Sequence, residues 1–119
     1  LAITVVLLGL TVWAGRRARR RLHYASAVFT LLALTGAIVQ AELYGRAYEI
    51  PTLRLRVHLG FAFAALASIP WVVLTGLRLR VQPNARPHHR RAVGTFIALI
   101  VVAIVTAIWM LIAAVPIAD

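Results

Sequence analysis

The feature that most constrains this chain is a series of long apolar runs, at residues 22–44, 57–77 and 92–117, separated by clusters of Arg. Each run reaches the ~20 residues that a helix needs to cross a ~30 Å hydrocarbon core. A fourth, shorter run covers residues 1–15. Strands are a poor alternative, because an open sheet edge in lipid leaves backbone polar groups unsatisfied. Composition agrees: 62% of the 119 residues are hydrophobic and 13% are charged. A soluble domain is about half apolar and about a quarter charged. The composition therefore excludes a disordered tail and argues against a water-soluble globule, and the length excludes a second large domain. The expected fold is all-α: one transmembrane domain over residues 1–119, a polytopic four-helix bundle with antiparallel up-down topology.

The first run begins at Leu1, and its positive charge follows the apolar segment as Arg16, Arg17, Arg19, Arg20 and Arg21. A signal peptide carries its charge before the apolar core. The better expectation is a first spanning helix whose N-terminal end lies upstream of Leu1.

All 13 basic residues are Arg, and the formal net charge is +10. Such a charge can mark a nucleic-acid partner, but here its position matters more. The first loop holds five Arg, and the third holds Arg78, Arg80, Arg86, Arg90 and Arg91. The middle loop holds Arg46, Arg54 and Arg56, diluted by Glu42 and Glu49. Positive charge stays on the cytoplasmic side. Loops one and three are therefore expected inside, with both termini and the middle loop outside, in a bacterial inner membrane. Anionic lipids are the expected partners of the inner loops, and neither nucleic acid nor a soluble substrate is expected.

Prolines mark the limits of the runs. Pro51 falls in the outer loop and Pro83 and Pro87 in the inner one, with Pro87 suited to the first turn of helix four. Pro70 falls inside helix three and predicts a kink. Stripes of small residues, Ala33, Ala37 and Ala41 in helix two and Gly60, Ala64 and Ser68 in helix three, predict close helix packing. Trp13, Tyr24, Tyr44, Tyr48 and Trp109 lie near helix ends, as an aromatic belt does.

The residues able to carry chemistry are few. With no Cys there is no disulfide and no thiolate site. The intramembrane polar residues are Thr, Ser and Gln, so no ion-coupling carboxylate is visible, and no nucleotide or hydrolase motif occurs; no enzymatic activity is expected. Four His remain. Alternating helix direction puts His23 and His88 or His89 at the cytoplasmic boundary and His58 at the outer one. A haem b needs two imidazoles at one depth on facing helices, and His23 with His89, or His88 as substitute, meets that requirement. On the outer side His58 and Glu42 suit a metal such as copper or zinc. The bland readings stand beside these: an interfacial His can meet lipid phosphate or cap a helix, and Glu42 or Glu49 can pair with Arg46, Arg54 or Arg56.

Three segments carry a family resemblance: Arg21-Leu22-His23-Tyr24, Leu55-Arg56-Val57-His58-Leu59 and His89-Arg90-Arg91-Ala92-Val93-Gly94-Thr95, with a Trp downstream in the last helix. The chain resembles, over roughly residues 20–114, the CtaM-type small four-helix membrane proteins associated with maturation of haem–copper cytochrome oxidase. The resemblance implies oxidase biogenesis, with haem or copper contact carried onto His23, His58 and His89. The expected function is a small integral membrane protein serving an electron-transfer complex, as assembly factor or accessory subunit, among the subunits of a larger membrane assembly. The alternative is a purely structural helix-bundle subunit of a respiratory or photosynthetic complex, binding partner helices, lipid or pigment without a redox role.

Overall fold

A computed structural model of the chain describes residues 2–117. Leu1 and Asp119, the ends of the sequence-based domain, lie outside the described residues. Four helices account for most of the chain: α1 (Ala2–Arg16), α2 (Arg20–Gly45), α3 (Thr52–Val81) and α4 (Arg86–Leu111). Three of them, α2, α3 and α4, are long and apolar enough to cross a membrane, and α1 is a shorter apolar helix. The fold is all-α, as the apolar runs require.

The helices extend past the apolar runs that mark them. Thr52–Val81 replaces the expected 57–77, and Arg86–Leu111 replaces 92–117. Hydropathy registers only the lipid-compatible portion, whereas Arg is a good helix former and continues the backbone beyond it. His88 and His89 consequently sit inside the first turn of α4 instead of before it, while His23 and His58 lie within their helices as expected. At the far end α4 stops at Leu111, and Val115–Pro116 forms a two-residue strand, β2, paired with β1 (Tyr48–Glu49). Pro87 takes the first turn of α4, and α3 runs on through Pro70.

The chain divides into two compact units, one ending at Tyr48 and the other starting at Glu49. In the first, α1 and α2 form an antiparallel hairpin. Its turn is a Schellman motif: Arg19 N–H donates to Ala14 O at 3.0 Å and Ala18 N–H to Gly15 O at 3.3 Å. Ala18 holds the left-handed position, with φ 54°, that Gly ordinarily fills. In the second unit, α3 and α4 form another antiparallel hairpin. Here the connection is slower: Gln82 is extended, Pro83–Ala85 makes a single 3₁₀ turn, and α4 begins at once.

Packing within each hairpin inverts the pattern of a soluble protein. The buried residues are mostly small or hydroxylic: Ala14, Ser26 and Thr30 in the first unit, and Ala65, Ser68, Thr75, Ala92 and Ala103 in the second. Large apolar side chains point outward, Leu32 at 62% and Phe63 at 62% exposure among them. Small residues let backbones approach where no hydrophobic force drives helices together. The hydroxyls return to their own helix, Thr30 Oγ1 to Ser26 O at 2.7 Å and Ser68 Oγ to Ala65 O at 2.7 Å. No buried side-chain polar atom among the described residues lacks a partner, which is what a lipid solvent demands.

The small-residue stripes are corrected in one respect. Ala33 and Ala37 are half-buried, but Ala41 is exposed. On α3, Gly60 and Ala64 are exposed, and the packed face runs through Ala65, Ser68 and Thr75. A four-residue stripe drifts around the helix, whereas alternating steps of three and four stay on one face.

Candidate functional site

Each hairpin holds one His against the end of its partner helix, close to the Arg-rich turn. His23, one turn into α2, lies with Nδ1 2.8 Å from the carbonyl of Thr11 on α1. A carbonyl only accepts, so Nδ1 carries the proton. His89, one turn into α4, has Nδ1 3.2 Å from Thr75 Oγ1 on α3. That hydroxyl donates its own hydrogen to Trp71 O at 2.8 Å, shared with Val72 O at 3.0 Å. Its oxygen is left as the acceptor, so Nδ1 of His89 is again the donor. In a neutral imidazole with Nδ1 protonated, the coordinating electron pair is on Nε2.

Glycine makes room for each ring. A Cβ on Gly15 would stand 3.1 Å from His23 Nδ1, and a Cβ on Gly76 would stand 3.2 Å from His89 Cε1. The correspondence continues outward along the second helix of each hairpin. Three residues beyond the His are Ser26 and Ala92, and seven beyond are Thr30 and Phe96, all four buried. The two hairpins therefore repeat one device: Gly on the outgoing helix, an Arg-rich turn, then a half-buried His on the returning helix. Sequence reasoning missed both glycines. Superposing the two Arg loops would have shown them, since Ala14-Gly15-Arg16 and Thr75-Gly76-Leu77 precede the loops alike.

The structure separates the two neighbouring imidazoles of α4. His89 is half-buried against α3, while His88 is exposed and turns to a surface cavity. His88 as a substitute for His89 is thereby displaced from the packed face, because adjacent helix positions point about 100° apart.

His58 holds the other end of the second hairpin. Its Nδ1 donates to Ala103 O at 3.1 Å, with Thr106 Oγ1 at 3.4 Å. Beside it, Arg54 donates from Nη1 to Trp109 O at 2.8 Å while its guanidinium lies 4.9 Å from the Trp109 ring centroid. Trp13 receives Arg19 similarly, at 5.2 Å, in the first hairpin. These aromatic residues meet Arg besides standing at helix ends.

Glu42 makes an exposed i,i+4 pair with Arg46 at 3.3 Å, the salt-bridge reading of its role. Within either unit, among the described residues, no three His, Asp or Glu converge on a metal-sized site. Tyr44 and Tyr48 stack with their hydroxyls 3.0 Å apart. The hydrogen bond that the Tyr48 hydroxyl donates to that neighbour, with the neighbour's charge when ionised, raises the Tyr48 hydroxyl above its ordinary pKa of 10.0.

Comparison with protein families, with characterised proteins and with solved structures yields no match for this chain. The functional reading therefore stands on the residues themselves.

Proposed function

We propose that the chain is a non-catalytic inner-membrane protein that serves an electron-transfer complex, as an assembly factor or accessory subunit, and presents His23 and His89 as ligands to a haem. The observation that carries this reading is the shared Nδ1 arrangement. A ligating His generally donates its second ring nitrogen to a carbonyl or another acceptor, which fixes the tautomer and the ring plane. Both imidazoles have that donation in place, each on a helix end beside a glycine. The donor set, imidazoles with Nδ1 protonated, fits a b-type haem, for which His23 and His89 would be the ligands; bound, it would supply one-electron chemistry. The chain's own contribution is to hold the two rings and to keep their Nδ1 protons occupied. Copper at His58 is the weaker metal reading, because Glu42 is engaged by Arg46.

In this reading the Arg-rich turns face the cytoplasm and hold anionic lipid, and the middle loop and both termini face outward. The resemblance to CtaM-type proteins supports oxidase maturation as the setting. Exposed large apolar residues on every helix support residence among partner subunits and lipid.

One observation favours the structural alternative: each His bridges its two helices, which is sufficient as a hairpin latch without any cofactor. The reduced-minus-oxidised spectrum of protein purified in mild detergent separates the two. A haem band that is lost in His23→Ala and in His89→Ala, but kept in His88→Ala, is expected. A protein without the band, or a band indifferent to His23, leaves the latch. For orientation, cysteines at exposed Asn84 and Ala47 should label from opposite sides of the membrane; labelling of both from one side would overturn the topology.

A further inference from the structure

A cavity of about 430 Å³ opens on the second hairpin, at the end of α3 where the chain turns into α4. Its wall on α3 is graded. Trp71 and Leu74, 45% and 60% exposed, lead one turn further to Arg78. The turn then carries Gln82 and Asn84 around the mouth, and His88 closes it from the first turn of α4. The spacing explains the grading, because positions three, four and seven apart share a helix face. Lipid-compatible side chains thus give way to polar ones at the level where α3 leaves the hydrocarbon.

Thr75 in the cavity wall is engaged by Trp71 O and His89, whereas the other polar side chains around it have no protein partners. Among the described residues, the side chains of Arg78, Gln82, Asn84 and His88 make no hydrogen bond or ion pair. The second hairpin's helices and turn contain no carboxylate at all, while Arg86, Arg90 and Arg91 border a smaller neighbouring cleft. Four unpartnered donors around an apolar floor, in a positive field, match an anionic amphiphile.

We infer that this cavity is a binding site for an anionic glycerophospholipid, with acyl chains along Trp71 and Leu74 and the phosphodiester at Arg78 and His88. A guanidinium fork fits a phosphodiester in two hydrogen bonds. The amides of Gln82 and Asn84 suit the glycerol and ester oxygens of the same molecule. A zwitterionic headgroup brings a cation that finds no carboxylate here, and free phosphate leaves Trp71 and Leu74 unused. The inference rests on α3 and α4 crossing a bilayer, and is independent of any haem.

Trp71 reports on the site directly. The full chain with Trp13→Phe and Trp109→Phe, reconstituted in phosphatidylcholine vesicles, leaves Trp71 as the only indole. Brominated phosphatidylglycerol should quench it at least about twofold more than brominated phosphatidylcholine at equal mole fraction, as local enrichment of anionic lipid requires. Arg78→Gln should erase the excess, while Arg91→Gln, which removes the same charge from the same end of the hairpin, should keep it. Inorganic phosphate should not compete. Equal quenching by the two lipids, equal loss in both Arg variants, or displacement by phosphate overturns the lipid site but leaves membrane insertion standing. Absence of quenching by either lipid overturns insertion and site together. Native mass spectrometry on the chain with all three Trp gives an independent check: retained phosphatidylglycerol should be lost in Arg78→Gln, and its persistence there overturns the inference.

Discussion

The α1–α2 and α3–α4 hairpins solve one problem with different parts. Both return the chain through an Arg-rich turn, and both set a His on the second helix against a glycine of the first. In the first hairpin the His proton goes to a backbone carbonyl, that of Thr11. In the second it goes to a side-chain hydroxyl, that of Thr75. The first turn is a tight Schellman loop through a strained Ala18, and the second uses an extended Gln82 and a 3₁₀ turn. The second hairpin is also tied at its far end, by His58 and Arg54. The pair teaches that the position of the imidazole is shared while its acceptor is not. A backbone acceptor is insensitive to the side chain that bears it; a hydroxyl acceptor is not.

The strongest way to break the correspondence is to fill the glycine notches. Gly15→Val and Gly76→Val should each destabilise their hairpin by about 2 kcal/mol through overpacking, read by reversible unfolding in mixed detergent. The Gly15 variant should suffer more, because its Cβ meets Nδ1, the bonding atom, whereas Cβ at Gly76 meets Cε1. Comparable stability of wild type and both valine variants would mean that the rings are not held there.

The next effect exists in one hairpin only. Arg54→Ala removes both a charged hydrogen bond to Trp109 O and a cation–ring contact. A loss of about 1.5 kcal/mol is expected, with Arg54→Lys recovering part of it. An unchanged unfolding midpoint in Arg54→Ala would show that this end of the hairpin does not need the tie.

Thr75→Val and Thr11→Val sharpen the contrast in acceptors. The first removes the oxygen that receives the His89 proton; the second leaves the Thr11 carbonyl in place. Imidazole ¹⁵N shifts should therefore change for His89 in Thr75→Val and stay put for His23 in Thr11→Val. The accompanying stability loss should be near the ~0.6 kcal/mol average for hydrogen bonds between membrane helices. A tautomer change at His23 in Thr11→Val would contradict the backbone assignment.

The smallest effect concerns the turns. Ala18→Gly relieves a left-handed alanine but loosens the unfolded chain, so a net gain of about 0.5 kcal/mol is expected. Gln82→Gly has no such strain to relieve and should not stabilise. Stabilisation by both, or by neither, would show that the two turns do not differ in strain.

Much of the fold was legible in the sequence. Transfer of apolar side chains into hydrocarbon is nearly additive along a segment, so runs of ~20 residues identify helices without reference to anything distant. Pro87 reads as a first-turn residue for an equally local reason, since its missing N–H is not needed there. The Arg loops fixed where the hairpins turn. Element ends were less legible, because Arg, Gln and Asn past the apolar run can be either helix or loop.

What only the tertiary structure decided is the phase of each helix against its neighbour. It chose His89 over His88, put Ala65, Ser68 and Thr75 on the packed face in place of Gly60 and Ala64, and gave Arg54 to Trp109. It also set Gly15 and Gly76 under the two rings and assigned their acceptors. The reason is physical. Hydropathy depends on a residue's own chemistry, whereas a buried imidazole's partner is set by the rotation and depth of a second helix. A rotation of one residue, about 100°, replaces every contact on that face, and no single segment of the sequence records it.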